Sequence, residues 1–194
     1  MNNNFWYQLN IDISNALRPD WVWDVSVLGH SNMNIQSVRA SSICNPEWLA
    51  YMKSLGLPIR HVMLFYRNTQ DSSGNTAHID LINTDDTSCV EWAINWVIGG
   101  QDSKMVWYEL PTTHFEIKRT MANTPYVSWN ISELKEIEHH EIKNVPTVVK
   151  TAIPHSVKIG ADPRWCISVR SSLDYTWEEL IVHLKSQNLL IERN

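Results

Sequence analysis

Glycine, cysteine and positive charge are all scarce in this sequence. Six glycines among 194 residues are scattered singly apart from one Gly-Gly pair. Glycine-rich phosphate loops and flexible linkers are therefore missing, and no P-loop, dinucleotide fingerprint or G-x-S-x-G elbow occurs. The cysteines are Cys44, Cys89 and Cys166, an odd number with no Cys-x-x-Cys pair. That excludes a zinc-finger spacing and favours a reduced compartment over a disulfide framework. No run of 18 apolar residues exists and mean hydropathy is -0.28, so no membrane span is expected. Lys and Arg total 16 against 21 Asp and Glu, a net charge of -5. A nucleic-acid partner would need clustered basic residues, and this balance argues against one. The opening residues, Met1-Asn2-Asn3-Asn4-Phe5, have neither a basic nor an apolar leader region. The expectation is a cytoplasmic protein.

What the chain does have is tryptophan, ten in all, and many short runs rich in Val, Ile, Thr and aromatics. Such runs suit pleated surfaces. Strands are expected at Trp23–Gly29, Asn34–Ala40, His61–Asn68, Ala77–Asn83, Glu91–Gly100 and Ser103–Leu110. Further ones are expected at Tyr126–Asn130, Ile137–Ile142, Pro146–His155 and Arg164–Ser171. Two helices interrupt the series. Asn45-Pro46-Glu47 is a capping start before a Trp48, Leu49, Met52, Leu55 stripe ending at Gly56, and Thr176 with Glu179 forms a capping box,. The pattern predicts one domain over residues 1–194, mainly β, an antiparallel barrel or jelly roll with flanking helices.

His78-Ile79-Asp80 lies in a strand-like segment, so alternation puts an imidazole and a carboxylate on one face,. A buried carboxylate needs a partner, and a divalent metal is one; a plain His–Asp ion pair is the alternative. His155 ends the apolar run Pro146–His155 and supplies a third candidate ligand. On the next strand Arg164, Cys166, Ser168 and Arg170 share a face. Two arginines beside small residues make sense if one reaches inward to hold a carboxylate bidentately. Two His and one Asp with open positions form the ligand set of non-haem Fe(II) oxygenases.

The order His78-x-Asp80, then His155, then Arg164 nine residues on, resembles the Fe(II)- and 2-oxoglutarate-dependent oxygenases. Val157–Ser168 is similar to that superfamily's ending, and His61–Arg67 to the strand preceding the His-x-Asp of aspartyl/asparaginyl hydroxylase-like members. Glu91–Ile98 and Met105–Glu109 resemble the next core strands, as in small oxygenases of phages and marine microbes. The resemblance covers residues 60–171. It implies a double-stranded β-helix, Fe(II) on His78, Asp80 and His155, and 2-oxoglutarate as co-substrate with dioxygen. It also implies hydroxylation of a small-molecule or peptide substrate, an amino-acid or peptidyl side chain by analogy with the aspartyl/asparaginyl and prolyl hydroxylase-like members. Arg164 is the first choice for the far carboxylate of the co-substrate and Arg170 the second, with Ser168, Asn95 and Tyr108 as further contacts. Oligomeric state is left open. Trp92, Trp96 and Trp107 read as core, His139-His140 as solvated, and His114 as an outside substrate contact. The competing class is a cupin-like metal- or ligand-binding module, which needs no arginine after the distal His. A structural jelly roll comes third.

Overall fold

The computed structural model describes residues 4–21, 33–68, 76–82, 88–112, 115–120 and 122–191. The expected strand Trp23–Gly29, the loop residues 69–75 and His114 lie outside them.

Among the described residues, twelve strands fall into two antiparallel six-stranded sheets that pack as a β-sandwich of jelly-roll type. The first contains β1 (Trp6–Gln8), β2 (Met33–Arg39), β3 (Ile59–Arg67), β5 (Trp92–Gly99), β10 (Thr147–Lys150) and β12 (Arg164–Ser171), in the order β1-β10-β5-β12-β3-β2. The second contains β4 (Thr76–Asp80), β6 (Lys104–Tyr108), β7 (Glu116–Arg119), β8 (Pro125–Asn130), β9 (Glu136–His140) and β11 (His155–Lys158), in the order β7-β8-β4-β11-β6-β9.

Among the described residues, three α-helices, α1 (Ala40–Ile43), α2 (Pro46–Ser54) and α3 (Trp177–Ser186), and a 3-10 turn at Ile131–Glu133 accompany the sheets. The Asn45 side chain accepts from the Glu47 N–H at 3.0 Å with Pro46 at the first helical position. Gly56, at φ +74°, terminates that helix,. The capping box of α3 is complete, Thr176 and Glu179 exchanging both bonds,. Trp48 and Met52 of α2, with Leu180 and Leu184 of α3, bury themselves against Val62, Ile94, Ile167 and Val169 on the outer face of the first sheet. This is the main apolar core. Trp92, Trp96 and Trp107 are all buried, as their pattern predicts. No described helix is long and apolar enough to cross a membrane.

The segment read as one strand, Pro146–His155, is two. β10 belongs to the first sheet and β11 to the second, with Thr151–Pro154 crossing between them. Pro154 has no N–H to give a ladder, so the strand cannot continue through it. His155 accordingly does not share a face with Val149; it opens a new strand opposite His78. The stretch between the expected strands Ser103–Leu110 and Tyr126–Asn130 contains the edge strand β7. His140, read as solvated, stacks on Trp6 with ring centroids 3.4 Å apart. Trp6 Nε1 also donates to Glu138 Oε1 at 2.8 Å. These contacts join β1 to β9 and close that edge of the sandwich.

Candidate metal centre

Alternation along β4 sends Ala77 and Ile79 to the outer face of the second sheet and His78 and Asp80 to the inner one. Register then does what no local pattern could. β11 pairs with β4 so that His155 lies directly opposite His78, and the two rings stand 4.4 Å apart. The ligand atoms of His78, Asp80 and His155 all lie within 4.8 Å of one another.

Each ligand is oriented by a neighbour. His155 Nδ1 donates to the Ile153 carbonyl at 2.9 Å, which leaves Nε2 with its lone pair for a ligand. Asp80 is held from the other side, Arg170 Nη2 donating to Oδ2 at 2.6 Å. Its Oδ1 stands 3.7 Å from His78 Nε2. Burial pushes both imidazoles toward the neutral form, and for His78 the facing His155 acts in the same direction. Burial, the largest single influence, would raise Asp80, but the Arg170 guanidinium together with the facing His78 and His155 holds the carboxyl well below the usual carboxylate range. Two neutral imidazoles and one carboxylate are the protonation states that a divalent ion requires. The donor set fits Fe(II), Mn(II), Co(II) or Ni(II).

These side chains open onto a cavity of about 980 Å³ between the sheets. Arg164, Cys166, Ser168 and Arg170 all line it, on the shared face that alternation predicts. Arg164 is only 4% exposed, its Nε has no hydrogen-bond partner, and it makes no ion pair among the described residues. A guanidinium stripped of water without an anion costs several kcal/mol. Asn95 also faces the cavity, beside Ser168 in the β5–β12 register, with its Oδ1 buried and unpartnered. Tyr108 does not join this group. It packs with Ala77 and Val106 on the outer face of the second sheet, and its hydroxyl is hydrogen-bonded to Ser156 Oγ at 3.0 Å.

Two lining residues had gone unnoticed in the sequence. Tyr126 sets its ring edge-on to His78 at 5.9 Å. Arg67, the last residue of β3, is the cross-strand partner of Arg164. Alternation with Met63 and Phe65 puts Arg67 on the inner face, but only the β3–β12 register reveals its neighbour. No protein-family model, curated protein or solved structure matches the chain.

Proposed function

We propose that this chain is an Fe(II)- and 2-oxoglutarate-dependent oxygenase built as a double-stranded β-helix, hydroxylating an amino-acid or peptidyl side chain. The observation that carries the reading is a buried Arg164 with no anion, facing the same cavity as a His78–Asp80–His155 group. A cupin-like binding module would account for the group but not for the guanidinium.

In this reading His78 Nε2, an Asp80 oxygen and His155 Nε2 hold the metal. Arg170 keeps the Asp80 carboxylate turned toward them, and the Ile153 carbonyl fixes the His155 tautomer. Arg164 takes the far carboxylate of the co-substrate, a charge-assisted pair in a dry site. Ser168 and Asn95 offer hydrogen bonds along the same wall, while Met63 and Phe65 supply apolar lining that excludes water. When bound, Fe(II), 2-oxoglutarate and dioxygen supply the oxidative decarboxylation to succinate and carbon dioxide that hydroxylates a substrate C–H bond. The placement of the substrate near the metal falls to the cavity mouth.

Anaerobic titration of the Fe(II) protein with 2-oxoglutarate is the direct test. A weak visible charge-transfer band is expected, with succinate formed once oxygen is admitted. A panel of amino acids and peptides should then show a +16 Da product by mass spectrometry. The His78→Ala protein should fold and lose its metal; unchanged metal stoichiometry would overturn the metal assignment. Neither band nor succinate from the wild type would overturn the oxygenase reading.

A further inference from the structure

Arg164 does not sit alone at its end of the cavity. In the antiparallel β3–β12 register its cross-strand partner is Arg67, and both residues line the cavity. Direct cross-strand neighbours on one face have Cβ atoms ~5 Å apart. Like charges so placed repel, and Arg67 helps burial to lower the proton affinity of Arg164,. The placement of Arg67 is also anchored. Its Nη1 donates to the Val157 carbonyl at 3.2 Å, so the side chain spans the sandwich from β3 to β11.

The backbone packs closely around the stem of Arg164. Gly100, at φ +68°, lies so close that an added Cβ would stand 2.4 Å from Arg164 Cβ. Its N–H is bonded to the Pro163 carbonyl at 2.9 Å. Of the six glycines in the chain, Gly99, Gly100 and Gly160 all pack tightly at this end. A glycine-poor protein thus closes its backbone around the stem of Arg164, whose cross-strand neighbour is Arg67. A single carboxylate bridging both would be read by two planar donor forks.

We propose that Arg67 is a specificity residue, forming with Arg164 a two-guanidinium clamp for the distal carboxylate of a dicarboxylic 2-keto acid. The clamp rests on the oxygenase reading above. It makes the site select 2-oxoglutarate over keto acids of the same length that lack the second carboxylate.

Calorimetric titration of the Mn(II)-loaded protein with 2-oxoglutarate and with 2-oxovalerate tests this without turnover. The wild type should bind 2-oxoglutarate more tightly. Arg67→Met keeps the aliphatic stem and should weaken 2-oxoglutarate by about tenfold or more, leaving 2-oxovalerate unchanged. Arg67→Lys, which keeps the charge but not the fork, should lose part of the selectivity and carries the test if the Met variant does not fold. A selective wild type with Arg67 variants equally selective would overturn the clamp and leave the oxygenase reading standing. Equal weakening of both acids would also overturn it, because the role would then be general. A wild type that binds neither acid would overturn the oxygenase reading and the clamp with it.

Discussion

On its outer side β12 sets Ile167 and Val169, both fully buried, into the apolar mass beneath α2 and α3. On its inner side the same strand carries Arg164, Cys166, Ser168 and Arg170, facing a cavity rather than a packed core. A sandwich held together by its inner faces alone would reverse this arrangement, with apolar side chains between the sheets. Here much of the stabilising burial lies outside the sandwich, between the first sheet and the helices. Part of the interior is given over to groups that are expensive to bury. The inner apolar cluster of Ala93, Val97, Val149, Met105 and Trp107 lies on the β5, β10 and β6 side and joins the sheets there. The difference between the two faces teaches where selection for folding and selection for chemistry have been separated.

The outer face should therefore dominate stability. Ile167→Ala removes a fully buried side chain from the helix-packed core and should cost about 2–5 kcal/mol, measured by chemical denaturation,. Metal stoichiometry at low denaturant should not change, since Ile167 points away from His78, Asp80 and His155. A loss below about 1 kcal/mol would mean the core is not where the fold's stability resides.

The inner face should behave in the opposite way. Arg164→Met replaces an unpaired buried guanidinium by an apolar side chain of similar length. The ligand-free protein should gain ~1–2 kcal/mol, seen as a higher Tm, while 2-oxoglutarate affinity collapses. The pairing of a gain in stability with a loss in binding sharpens the comparison between the faces. If the variant is destabilised instead, Arg164 has a structural partner and its availability to an anion is in doubt.

Alternation is a local property, and what depends on it was legible in the sequence. His78 with Asp80, and Arg164 with Cys166, Ser168 and Arg170, emerge on the faces that a period of two dictates,. Capping chemistry at Asn45 and Thr176 placed both long helices correctly. Register and crossover are non-local, and there the sequence misleads. Apolar continuity from Pro146 to His155 hid the step between sheets, although Pro154 carried the signal. The strands β1 and β7, three and four residues long, are too short to show a period. Tyr108 and Asn95 look alike as polar-tipped residues on core strands. Only the fold separates one facing the cavity from one facing away. Arg170 is the sharper case: on the same face of β12 as Arg164, with Cys166 and Ser168 between them, it is engaged by Asp80 across the cavity, an encounter between residues ninety positions apart.

Tyr108 gives the smallest and most discriminating contrast, because it lies on the outer face of the very sheet that carries the metal group. Its hydroxyl is buried and bonded to Ser156, the residue after His155. Tyr108→Phe deletes that bond and leaves the Ser156 hydroxyl without its partner, a loss of about 1 kcal/mol. Because Ser156 and His155 point to opposite faces of β11, the loss should register in the denaturation midpoint and not in metal or keto-acid affinity. Titrating the Phe variant with Mn(II) and then 2-oxoglutarate checks this. A fall in keto-acid affinity with unchanged stability would bring Tyr108 back as a co-substrate contact and would blur the division between the two faces of the second sheet. A fall in both would show instead that the Ser156 bond helps hold His155 in register opposite His78.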